Sequence, residues 1–402
     1  MAFRLVLFNI LLLSSTSLAQ VVGAATGFAK GVTGGGSATP AYPADIKELR
    51  SWLTDSTPRV IMLKKEYNFI GSQGTVTATG CRPSSNTCPD SGGQDAINGA
   101  DWCTRYGHPD IAVTYDKAGT TFIDVKSNKS IVGKGSSGVI RGIGLRIANG
   151  ASNIIIQNVH ITELNPQYIW GGDAITLAGS DLVWIDHCKF SLIGRQMVVT
   201  GYAKAGRVTI SNNEFDGKTS WSATCNGDHY WTMLFLGSSD LITLAGNYIH
   251  DCSGRAPKVL YNIIQLPHFK KIGGEGSANV LIHAVNNYFN SIGGHAFDLG
   301  TGGMALIEGN VFESVTTTIT TTSVSAGGRI FNAYASSDSN TCTASLGRAC
   351  VQNTVSGSGL WKAYTTSSFL TKFSGKDVQA AAAVSGVKSN VKSNSGVGHI
   401  GN

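Results

Sequence analysis

Six short segments with one apolar pattern recur through the middle of the chain, and no helical pattern lies between them. They read IIIQNVHI from Ile154, VWIDHCKF from Val183, VTISNNEF from Val208, ITLAGNYI from Ile242, IHAVNNYF from Ile282 and ALIEGNVF from Ala305, with starts 29, 25, 34, 40 and 23 residues apart. Third positions are Ile156, Ile185, Ile210, Leu244, Ala284 and Ile307, and eighth positions are Ile161, Phe190, Phe215, Ile249, Phe289 and Phe312. The sixth position is asparagine on four rungs, Asn213, Asn247, Asn287 and Asn310. No single segment can bury its own apolar face, so stacking is what makes a continuous core, and amides in a column can hydrogen-bond from turn to turn. A period in the twenties with one clear strand and no helix points to an all-β fold, a right-handed single-stranded parallel β-helix. Leucine-rich and ankyrin solenoids need a helix in every repeat. The longer rungs carry extra chain, which must leave the coil as long loops forming a cleft on one side.

The rest of the chain agrees with that reading. Only 14% of residues are charged and 50 are glycine, a balance that favours strands and turns. Residues 1–19 have a cationic start, an apolar run from Leu5 to Leu13 and a small-residue site at Ser17-Leu18-Ala19, the pattern of a secretory signal peptide. No later run is apolar and long enough to span a bilayer, so no membrane anchor is expected. The β-helix domain is expected over 20–376, with a short helix over the end of the coil and a mobile polar end in 377–402. Asp45 to Leu53 reads as a short helix, Val60 to Leu63 as a first buried strand, and 71–119 as loop. A formal charge of +6, or +5 without Arg4, lacks a Lys/Arg cluster and gives no reason to expect a nucleic-acid partner. Eight cysteines in an exported chain are expected to form disulfides. Asn128-Lys129-Ser130 is an N-glycosylation sequon or an unmodified surface turn.

The candidate chemistry begins in Tyr168 to Arg195, YIWGGDAITLAGSDLVWIDHCKFSLIGR. Asp173 and Arg195 are 22 residues apart, about one turn, which places them side by side on adjacent turns. Arg255 and Lys258 follow in SGRAPK. One carboxylate facing several cations suits a carboxyl or carboxyl-ester substrate, because cations stabilise the enolate left by removal of an α-proton. A surface ion-pair network would look the same. Trp102, Trp170, Trp221, Tyr230 and Trp231 lie outside the apolar columns, where flat rings stack on sugars or pack against loop disulfides.

These stretches together, WGGDAITL, DLVWIDH, IGRQ, SATCNGDHYW, SGRAPK, HAVNN, GGHAFDLGTGG and EGNVF, closely resemble those of secreted fungal-type pectin lyases in the pectate lyase superfamily, polysaccharide lyase family 1. The resemblance runs from about Val22 to Lys376. It implies endo-acting β-elimination of methyl-esterified homogalacturonan, with Arg255 as the base for the C5 proton. Arg195 and Lys258 would be partners of the substrate carboxyl group, Asp173 would hold the arginines in place, and Trp102, Trp170, Tyr230 and Trp231 would bind sugar. Calcium-dependent pectate lyases carry an acidic calcium ligand where this chain has Arg195, so no metal or other cofactor is expected; nor is a partner subunit. The resemblance pairs Cys81 with Cys103, Cys88 with Cys225, and Cys342 with Cys350, leaving Cys188 and Cys252 as buried thiols or an extra bridge. The chain departs from the pattern at Ser84, where a tryptophan is usual, and at 260–278, an insertion or translated intron directly after SGRAPKV. A calcium-dependent pectate lyase and a non-catalytic pectin-binding protein stand as alternatives.

Overall fold

The apolar columns of the sequence are the register of the strands. The computed structural model describes residues 21–259 and 279–401, so the signal-peptide reading of 1–19 and the insertion at 260–278 lie outside the described residues. Ten strands stack in parallel in one face of a coil, including Lys129–Gly133, Ser152–Gln157, Asp181–Asp186, Gly206–Ser211, Asp240–Ala245, Val280–Val285 and Gly303–Glu308. Ile154, Val183, Val208, Ile242, Ile282 and Ala305 are successive partners across it. After each strand the chain turns into a second parallel face, which includes His160–Leu164, Lys189–Ile193, Glu214–Asp216 and Tyr248–Cys252. It then enters a third face, which includes Gly144–Ala148, Ile175–Ala178, Val198–Thr200, Met233–Phe235 and Lys258–Val259. The long strand Tyr288–Leu299 runs through both of these faces. The architecture is an all-β parallel β-helix.

Side chains from all three faces fill one core, with Phe190 on Phe215 at 5.1 Å and Phe289 on Phe312 at 4.7 Å between ring centroids. The asparagine column is a hydrogen-bonded ladder. Asn213 Nδ2 donates to Asn247 Oδ1 at 3.0 Å, Asn247 to Asn287 at 2.8 Å, Asn287 to Asn310 at 2.9 Å, and Asn310 to a further rung, Asn353, at 2.9 Å. At its other end Cys188 occupies the sixth position and donates its backbone N–H to Asn213 Oδ1. Cys188 and Cys252 are buried free thiols, each pushed up to about 12 by burial, and they do not form the extra bridge. The three disulfides are Cys81–Cys103, Cys88–Cys225 and Cys342–Cys350.

Two regions differ from the sequence reading. Residues 71–119 are not loop: Thr75–Cys81 and Asp110–Asp116 form an antiparallel ribbon, joined by Asp95–Ile97 and Tyr168–Ile169 into a small sheet beside the coil, with a short helix at Trp102–Tyr106. Its glycines, prolines and cysteines hid alternating strands that pair locally and do not share the coil's period. The C-terminal segment is docked along the flank of the coil, where a mobile end was expected. The turns between the first and second faces hold Asn158, Asn212 and Asn286 in left-handed conformation, which leaves amides and carbonyls facing outward. Asn286 Oδ1 accepts from Ala382 N at 2.7 Å, Asn212 O from Gly396 N at 2.9 Å, and Asn158 Oδ1 from Gly398 N at 2.9 Å. The helix Val387–Asn394 buries Val387 and Val391 against Tyr288 and Val311. The expected helix after Asp45 is Ile46–Thr54, capped by the Asp45 carboxylate on the N–H groups of Lys47 and Glu48. Asn128, at φ +60°, is half-buried, and its Oδ1 accepts from Asn153 Nδ2 at 2.8 Å. No helix among the described residues is long and apolar enough to cross a membrane.

Candidate active site

Asp173, Arg195 and Arg255 all lie just before third-face strands, so the coil delivers them to one corner, Asp173 and Arg195 on successive turns and Arg255 two turns further, past the rung that carries Tyr230 and Trp231. The turns are pinned to each other first by backbone. Arg195 N donates to Gly172 O at 2.9 Å, and Gln196 N donates to Asp173 Oδ1 at 2.8 Å. Asp173 Oδ2 then stands 3.7 Å from Arg195 Nη1, side by side as the spacing predicts. The Arg195 guanidinium lies over the Trp170 ring, 3.7 Å from its centroid. Behind it, the Arg195 carbonyl is 2.8 Å from His229 Nε2. Burial pushes His229 down to about 4, so its neutral ring donates that bond.

Arg255 is held differently. Its guanidinium lies 4.5 Å from the Trp231 ring centroid and 5.6 Å from that of Tyr230. Its Nε is buried without a hydrogen-bond partner, and the ion pairs among the described residues do not include it. Burial is the main force on its acidity; the Arg195 charge adds to it, Tyr230 and Asp298 oppose it, and the guanidinium is pushed down to about 10. Asp173 therefore braces Arg195 alone and not both arginines. Lys258 is not a free cation either: its ammonium donates to Asp298 Oδ2 at 2.6 Å. The glycine of SGRAPK has a steric reason, since a Cβ on Gly254 would lie 2.6 Å from the Tyr230 ring.

Trp102, Trp170, Tyr230 and Trp231 all pack against one small cluster around Cys81 and Cys103. Trp102 packs within its own segment, its ring tilted against those of Tyr106 at 5.4 Å and His108 at 4.9 Å. The loop-packing reading is what is seen: the four rings form one wall whose inner side is the small disulfide-bonded sheet.

Three residues with no assigned role complete the corner. Gln94 ties three loops together, accepting from Trp231 Nε1 at 2.9 Å while its own amide donates to Pro166 O and Gly194 O. His295 accepts the Arg255 backbone N–H at 3.3 Å, and Asp298 pairs with Lys258. His295 and Asp298 stand in the ordered motif GGHAFDLGTGG, which was the available signal, but the pairing of Lys258 with Asp298 on the next turn is seen only in the structure. Gln94 lies in the stretch read as loop and carried none.

Calcium does not fit here. It takes six to eight oxygen ligands, whereas the two carboxylates of the corner are already engaged, Asp173 by Arg195 and the Gln196 amide and Asp298 by Lys258. Among the described residues one group has metal-ligand spacing, Glu214, Asp216 and His250. It lies on the second face, and the Lys189 ammonium fills it, 2.9 Å from both carboxylates.

The comparisons with known proteins agree with this geometry. A family model described as pectate lyase matches residues 105–268 and 276–400. The chain is 53% identical to a probable pectin lyase F of Aspergillus niger, over 98% of this chain and 78% of that one. It is 51% identical to pectin lyase B of Emericella nidulans, over 96% of both. Among solved structures, a pectate lyase bound to a hexasaccharide superposes with a TM-score of 0.56 at 18% identity, over 96% of this chain and 100% of that one. A pectate lyase from Bacillus sp. N165 in complex with trigalacturonate gives 0.55 at 20% identity, over 93% and 99%, and these two show the shared fold. By the family model and the near full-length relatives, the chain belongs to the pectate lyase family and is a polysaccharide lyase.

Proposed function

We infer that the protein is a secreted, monomeric, endo-acting pectin lyase that cleaves methyl-esterified homogalacturonan by β-elimination. The observation that carries this reading is Arg255: a guanidinium without a carboxylate partner among the described residues, packed on aromatic rings beside Arg195 and pushed down to about 10. Two pH units below such a value about one molecule in a hundred holds the neutral guanidine. That form takes the C5 proton. The electron pair moves toward the ester carbonyl, whose developing oxyanion Arg195 stabilises. Collapse of the enolate forms the C4–C5 double bond and expels the C4 oxygen, which takes up a proton returned from Arg255 or from water. The methyl ester suits this arrangement because its C5 proton is more acidic than that of a free carboxylate. Asp173 keeps Arg195 aimed and Asp298 keeps Lys258 aimed, while Trp170, Tyr230, Trp231 and Trp102 offer faces for sugar rings.

The test is ultraviolet absorbance of unsaturated product from highly methylated pectin with a chelator present. Product formation under those conditions supports the reading. Product only from unesterified polymer and only with calcium would make the protein a pectate lyase, and no product from folded protein would leave a pectin-binding role.

A further inference from the structure

We propose that His295 is a positioning residue for Arg255, holding its backbone through a neutral imidazole, and that protonation of His295 adds a second, steeper fall of turnover on the acid side. The proposal rests on the lyase reading and concerns the same corner of the coil. Arg255 has φ +53°, the left-handed region that a non-glycine residue enters only when its surroundings hold it there. Two backbone bonds hold it: its carbonyl accepts from Met233 N at 2.6 Å, and its N–H donates to His295 Nε2 at 3.3 Å. An amide N–H can only donate, so Nε2 must carry the lone pair and the ring proton must sit on Nδ1. Tyr230, whose face touches the Arg255 guanidinium, meets the His295 ring edge-on at 5.8 Å. The same imidazole therefore orders both the main chain of Arg255 and one of the rings beneath its guanidinium.

Protonation would reverse that contact. A proton on Nε2 puts two donors face to face, and Arg255 N–H loses its acceptor. Asp298 Oδ2 lies 3.9 Å from the same nitrogen and 2.6 Å from Lys258, so a cationic His295 would compete with Lys258 for it. The charged groups around the ring are few. Asp298 favours the imidazolium, while Lys258 and Arg255 disfavour it; Asp228 lies against Gly293 from the neighbouring loop, and Thr317, opposite His295 on the next strand, is uncharged. Burial is the strongest influence and the balance lowers His295 from its ordinary 6.5, so the switch falls on the acid side of that value.

The decisive measurement is kcat and KM against pH from 4 to 9 on highly methylated pectin, for the wild type, His295→Gln and His295→Leu, with Tm recorded at each pH. Glutamine can accept the Arg255 N–H but does not titrate. His295→Gln is expected to keep kcat at pH 8 within about threefold and to keep only the fall of about tenfold per unit that Arg255 sets, without the steeper fall below the His295 titration, while His295→Leu lowers kcat about 10- to 100-fold at every pH with little change in KM. A fall toward acid as steep in His295→Gln as in the wild type overturns the proposal, as does wild-type kcat in His295→Leu. If the leucine variant does not fold, the glutamine profile alone decides. Product formation by the wild type tests the lyase reading separately.

Discussion

Arg255 and Arg195 are both guanidiniums on aromatic rings, yet their surroundings differ. Arg195 has a carboxylate at 3.7 Å, whereas Arg255 has none among the described residues and is buried toward a lower pKa of about 10. Two outcomes follow at this level. The kcat of the wild type should rise about tenfold per pH unit on the alkaline side, up to about 10, because the working form is the deprotonated one. Arg255→Lys should lower kcat by about 100-fold or more with KM nearly unchanged, since an ammonium lacks the planar contact with Trp231; a stopped assay on methylated pectin checks it. Asp173, Arg195, Arg255 and the rings were legible because the repeat period and the ordered motifs place them. Gln94, His295 and Asp298 were not, because each acts through a partner tens of residues away whose approach depends on how the turns stack.

The turns stack through two different devices. Inside, phenylalanine columns and the asparagine ladder hold one rung on the next, and both could be read from a column of eight-residue segments. Asn247 accepts from the N–H and Nδ2 of Asn213 and donates to Ile210 O and Asn287 Oδ1, all buried. Asn247→Ala would orphan these groups, and a loss of about 2 to 4 kcal/mol in urea unfolding is expected. Outside, the C-terminal segment bolts the turns between the first and second faces, while the corner of the two arginines lies between the second and third. Deleting 379–402 should therefore lower Tm and leave kcat at 25 °C unchanged. This bolt was missed because a Gly/Ser/Lys/Asn tail has no pattern of its own; its partners are the left-handed asparagines of other turns.

The coil is also tied to its C-terminal loops by charge. Glu308 is fully buried, 2.7 Å from His283 and paired through both oxygens with Arg348. Burial alone would push its carboxyl up, but the bonds from His283 and Arg348 outweigh this and hold it at about 2. A depressed carboxylate contributes stability that is complete above the unfolded value of about 4.3 and is lost as pH falls through the folded one. That contribution, about 3 kcal/mol, should vanish between about pH 4.5 and 2, and Glu308→Gln should flatten the wild type's loss of unfolding free energy over that window. The sequence alone determined the coil and its register, because periodic burial and amide ladders are local patterns repeated in order. The small antiparallel sheet, the docked tail, the pairing of Lys258 with Asp298 and the contact of His295 with Arg255 arose only from folding. Each joins groups with no shared period, and their energies depend on distances that exist once the turns are stacked.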